Sequence, residues 1–258
     1  MQTPIKIVID QNPVGVVISI VALAVSIIAL ALSTRGRRLE RERTLRSQLS
    51  EVLREYASTL LERSRVTSAT DRDRPTPSGV TAVLDQLESF LVQQINYLAE
   101  QIPRLVTSVE WCAIGYSNGR SGDFVRADMY YKRGIEASTD AMYKIGAAIA
   151  YAWCLYTQRR FEEGRSTYRQ HLANLTNNDD FARYQKGRAY MFWGMNECTF
   201  AQSETQSKQA FEGAFSEFTG ISMKSFRENA LKELEKARVD SSPGPSPTEQ
   251  VVFGQANT

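Results

Sequence analysis

Apolar residues fall in three distinct patterns along the chain. From Val14 to Leu32 they form a nearly unbroken run, VGVVISIVALAVSIIALAL, and no charge appears between Gln11 and Thr34. At about 1.5 Å of rise per residue, roughly twenty helical residues cross the roughly 30 Å hydrocarbon core of a bilayer. Residues 14–33 therefore read as a transmembrane helix, with Pro13 placed to open it and residues 1–13 as a short segment before it. From Leu45 onward the pattern changes. Leu49, Val52, Leu53, Tyr56, Leu60 and Leu61 recur at helical spacing among Arg and Glu, which predicts a basic, amphipathic juxtamembrane helix within residues 34–66. Residues 67–79 carry no apolar period and two prolines, as a linker does. The stripe Val80, Leu84, Leu87, Leu91, Ile95, Leu98 and Ile102 predicts a further amphipathic helix over 80–102, capped by Thr76 or Ser78 and ended by Pro103. No strand alternation occurs between Pro103 and Arg238, so the expected fold class is all-α. Residues 239–258, rich in Ser and Pro, read as a disordered tail that holds one apolar island, Val251–Phe253.

Charge changes this picture in one place. The chain has 31 basic and 29 acidic residues, a net charge of +2, yet Arg35, Arg37, Arg38, Arg41, Arg43 and Arg46 crowd into twelve positions with two Glu. One basic residue before the apolar run against six just after it predicts a single-pass protein, with its N-terminus outside and its C-terminal domain cytoplasmic. The six arginines act as a topology signal, as contacts to anionic lipid headgroups worth about 1 kcal/mol each, or as both. A cleaved signal peptide competes with the anchor, because Ala29-Leu30-Ala31 has a small-x-small form. The length of the run, Lys6 against Asp10 ahead of it and the arginines behind it favour the anchor. Within the run, Gly15, Ser19, Ala22, Ser26, Ala29 and Ser33 make a heptad-like seam of small side chains. That seam suits self-association into a homo-oligomer, or reflects only how common such residues are in membrane helices. Three cysteines without CxxC spacing fit reduced core residues. The composition excludes a collagen, a disulfide scaffold and a strongly basic nucleic-acid binder.

Residues 109–172 also align with themselves at an offset of 37: Gly115 with Ala152, Phe124 with Phe161, Ala127 with Gly164, Tyr131 with Tyr168 and Ile135 with Leu172. Antiparallel helices need a small residue where they cross and large ones closing the turn and packing on the next unit, so each pair has a structural reason. The pattern resembles the tetratricopeptide repeat, a 34-residue helix-turn-helix unit opening W-x2-L-G-x2-Y. Trp111, Ile114 and Gly115 match that opening, and Ala127, Tyr131, Gly134 and Ile135 match the later positions. Asn118 stands where the family prefers Tyr, Thr139 where it prefers Pro, Ala148 replaces the second unit's Trp, and the period is three residues long. A third unit, about Asp180–Thr219, keeps Ala189 and then drifts, with Ala210, Phe211, Ala214 and Phe215 building its second helix. The resemblance implies an α-solenoid of about three helix pairs within 104–238. It is opened by a Thr107–Glu110 capping box and closed by a capping helix, Met223–Ala237.

Catalytic chemistry has little to work with. His171 is the sole histidine, no phosphate loop, GxSxG or HExxH occurs, and Asp179-Asp180 reads as a helix cap; neither an enzyme nor a cofactor or metal is expected. The first helices of tetratricopeptide units line a groove. Carrying its positions over at the 37-residue offset aligns Tyr116 with Trp153 and Tyr190, and Gly119 with Tyr156 and Trp193, near Arg120, Arg183 and Lys186. This implies a surface for an extended peptide with an apolar side chain and an acidic end. The competing reading makes the aromatics internal packing, with the stripe of residues 80–102 filling the groove. Two functions remain: a membrane-tethered adaptor for an unidentified cytosolic protein, or a structural subunit of a membrane complex.

Overall fold

The computed structural model describes the backbone of residues 13–69 and 78–241, and the side chains of Leu30 and of residues 32–67 and 79–241. All regular elements among them are helical: α1 (Pro13–Ala69), α2 (Ser78–Gln101), α3 (Ser108–Arg120), α4 (Phe124–Ala137), α5 (Ala141–Thr157), α6 (Phe161–Ala173), α7 (Asp180–Asn196), a π turn (Glu197–Ala201), α8 (Glu204–Thr219) and α9 (Lys224–Ser241). The expected linker is thus helical at both ends, and the expected tail begins as the last turn of α9. Residues 70–77 and 242–258 lie outside the described residues. So do nearly all side chains of the expected span, including Gly15, Ser19, Ala22, Ser26 and Ala29 of the seam, while Ser33 is exposed. Among the described residues no helix is long and apolar enough to cross a membrane.

Helices α3/α4, α5/α6 and α7/α8 are hairpins. α3, α5 and α7 lie side by side, α4 touches α5, α6 touches α7, and α9 covers α7 and α8. This arrangement is compatible with an α-solenoid. The hairpins close where the sequence provides room. A Cβ on Gly115 would stand 2.9 Å from the Tyr131 ring, one on Gly164 would stand 2.5 Å from Tyr156, and one on Gly194 would stand 2.9 Å from Phe211. The turns repeat as well. Gly122 (φ 84°) and Arg159 (φ 59°), 37 residues apart, both take the left-handed conformation just before the second helix of their hairpin. Glycine adopts it without strain and arginine does not.

α1 and α2 form an additional hairpin before the repeats, and α2 packs on α3. Leu49 and Tyr56 of α1, Leu91, Ile95, Leu98 and Ile102 at the α2 end, and Trp111, Ile114 and Tyr130 share one core. The α2 stripe therefore covers the first repeat. Its early members, Val80, Leu84 and Leu87, stay exposed or half-buried. Asn118 explains its own departure from the family pattern: it exchanges two side-chain amide bonds with Asn96 of α2, at 2.8 and 2.9 Å, in a buried site. The capping box at Thr107 and Glu110 forms, and Arg46 of α1 pairs with that same Glu110.

Candidate binding surfaces

The residues carried over as a groove separate into three groups. Tyr116 and Trp153 meet across α3 and α5 with ring centres 5.6 Å apart, and the Arg120 guanidinium lies 6.0 Å over Tyr116 and 3.7 Å from Glu88. Tyr156 is fully buried and donates its hydroxyl to Glu197. The Trp193 indole donates to the same carboxylate at 2.9 Å, and its ring stacks 5.6 Å from Tyr168 and 6.2 Å from Tyr190. Arg183 and Lys186 are fastened to the α6–α7 turn. Lys186 donates to the Asn178 side chain at 2.8 Å, while Arg183 donates to the Asn178 carbonyl and faces Glu217 at 3.6 Å. No ring contact joins Tyr116 and Trp153 to Tyr190 and Trp193 among the described residues.

Helix register explains the separation. α4 and α6 begin 37 residues apart, at Phe124 and Phe161, but the equal-length helices α5 and α7 begin 39 apart, at Ala141 and Asp180. Two residues turn a helix by roughly 200°. The α7 equivalents of Gly146, Ile149 and Trp153 are thus Gln185, Arg188 and Phe192, and Trp193 takes the place of Cys154, against the preceding hairpin. α6 and α8 begin 43 residues apart, at Phe161 and Glu204, and the π turn takes up the excess before Gln202 restores a left-handed bend. In that turn Glu197 is fully buried. It accepts from Arg165 at 2.7 Å on both oxygens, as well as from Tyr156 and Trp193. Burial raises its pKa, but these donors outweigh burial and hold the carboxyl below its usual range.

Corrected for register, the first helices of all three hairpins do meet at a cleft of about 480 Å³ that sequence comparison at one offset missed. Val109 and Cys112 come from α3, Met142, Tyr143 and Gly146 from α5, and Gln185 and Arg188 from α7. Val109 and Tyr143 are 75% and 73% exposed. Arg188 is the sole charged side chain of the lining. It is held 5.8 Å over Tyr184 and 5.6 Å over Phe192 rather than by a carboxylate. Burial pushes the Cys112 thiol up to about 11. His171 lies half-buried on α6, away from this cleft, and burial, then Lys144, lower its pKa. No group of His, Cys, Asp and Glu among the described residues has the geometry to hold a metal ion. What fold and cleft together define is a stack of helical hairpins with a recess across its first helices. No family model, curated protein or solved structure matches the chain.

Proposed function

We propose that this is a membrane-tethered, non-enzymatic adaptor of tetratricopeptide-like architecture, anchored by Val14–Leu32. Its cytoplasmic stack receives an extended peptide that carries an aliphatic side chain next to an acidic group. The observation that carries this reading is the cleft across α3, α5 and α7, whose exposed Val109 and Tyr143 face a lining that holds one cation, Arg188, and no acid. Apolar contact on Val109 and Tyr143 supplies area, and a guanidinium with no ion pair among the described residues selects a carboxylate. The repeat geometry supports it too, because adjacent first helices present side chains at a spacing that an extended chain can follow.

A random-peptide display against the full chain in nanodiscs tests it. Enrichment of aliphatic-acidic peptides is expected, together with its loss in Tyr143→Ala and a switch towards basic peptides in Arg188→Glu. An enriched set indifferent to both substitutions, or none at all, overturns the reading.

A further inference from the structure

We propose that a second cleft, between α1 and the α2–α3 turn, seats the phosphate headgroups of an anionic bilayer, so that this turn rests on the membrane surface together with α1. The inference builds on the reading of Val14–Leu32 as an anchor. The cleft, about 480 Å³, is lined by Arg35, Arg38 and Leu39 of α1 and by Pro103, Arg104 and Leu105 of the turn. Its one acid, Glu42, is engaged by Arg38 at 3.0 Å, which leaves Arg35 and Arg104 without an ion pair among the described residues. Leu39 and Leu105 stand beside these cations, 48% and 40% exposed. Cations interleaved with exposed leucines suit contact with the polar surface of an anionic bilayer.

Depth places Arg35 within the headgroup layer and Leu39 at its outer edge. Arg35 and Leu39 follow Leu32 by three and seven residues on one continuous helix, hence by roughly 5 and 10 Å along its axis. The headgroup layer reaches roughly 5–8 Å beyond the hydrocarbon on each side. α2 brings Gln101 back to this level, so Arg104, far from the anchor in sequence, joins the collar in space. The turn is also held stiffly. Ile102 and Val106 are buried, the Leu105 amide donates to the Ile102 carbonyl at 2.9 Å, and the capping box with its Arg46 partner follows at once.

Hydrogen exchange of residues 101–107, read by mass spectrometry on the full chain, tests this in nanodiscs of phosphatidylcholine alone or mixed with phosphatidylglycerol. Exchange should slow about fivefold in the anionic discs, the effect of one close arginine. Arg104→Glu and Leu105→Asp should each abolish the difference, while Arg54→Glu, exposed elsewhere on α1, should keep it. Equal exchange in both discs, or protection that survives Arg104→Glu, overturns the headgroup seat and leaves the anchor standing. A chain that a carbonate wash strips from the discs overturns the anchor and the seat together.

Discussion

Replacing Glu197 by Gln isolates the charge of a fully buried carboxylate. The substitution keeps the volume and one acceptor oxygen, but turns an amide towards the Arg165 nitrogen that the second carboxylate oxygen accepts from, 2.7 Å away. Arg165 is left 15% exposed, with only the solvent-facing Glu162 as counter-charge. Breaking a buried pair by removing one member costs roughly 3–5 kcal/mol. Because Glu162 and solvent still reach Arg165, the lower end applies, about 3 kcal/mol, which for a chain of this size lowers the melting temperature by roughly 6–12 °C. Far-UV dichroism of the full chain in detergent measures it, and Trp193 emission reports the site itself. The pH dependence supplies an independent sign. The folded pKa lies below the unfolded value of about 4.3, so the stabilisation is complete above that value and is lost as pH falls through the folded one. The parent protein should therefore lose its advantage over Glu197→Gln in acid. A variant that melts with the parent at neutral pH, or a gap that persists unchanged in acid, refutes the assignment.

Substitutions at four further sites test the fold. Asn96→Leu strands the Asn118 amide in the core and should cost about 1–3 kcal/mol, whereas Asn96→Leu with Asn118→Leu should recover most of it; denaturant midpoints decide. Arg159→Gly relieves a left-handed arginine and should raise the melting temperature, by up to about 1 kcal/mol of stability. Gly164→Ala drives a methyl into the buried Tyr156 ring and should cost about 1–3 kcal/mol. Gly146→Ala, with nothing within 4 Å, should instead gain up to about 1 kcal/mol of helix propensity.

Local chemistry was legible in the sequence. The α2 stripe and the Thr107–Glu110 box follow from periodicity and capping, and the third hairpin, about Asp180 to Thr219, from the repeat resemblance. What sequence spacing hid is long-range or cumulative. Phe215 and Phe218 are equally apolar, but only Phe218 lies over Gly187, which buries it and leaves Phe215 49% exposed. Asp179 caps α7 as its position suggests, while Asp180 reaches across 42 residues to hold Ser222 in the α8–α9 turn, ahead of α9. The two-residue change of register in α7 is invisible at a fixed offset, since Tyr190 and Trp193 continue the aromatic row in sequence while turning off its face in space. The π turn has no sequence signature of its own, yet it brings Glu197 under Arg165.

The coupling of α1 to the stack constrains how an adaptor of this kind would work. A flexible tether would let the repeats sample a wide volume beneath the membrane. Here Leu49 and Tyr56 are buried in the core that also contains Trp111, Arg46 pairs with the α3 capping box, and Arg63 and Arg120 close on Glu88, so α1 belongs to the folded body along much of its length. Arg46 meets Glu110 where α3 begins, and Tyr56 and Tyr116 join the same core ten and six residues further on, so α1 and α3 run in the same direction. Under the proposed anchor, the first helices then lead away from the bilayer. The cleft that starts at Thr107 and Val109 opens near the α2–α3 turn rather than at the distal end. A peptide bound there would be held close to the surface from which the chain emerges, a geometry suited to the cytoplasmic end of another membrane protein.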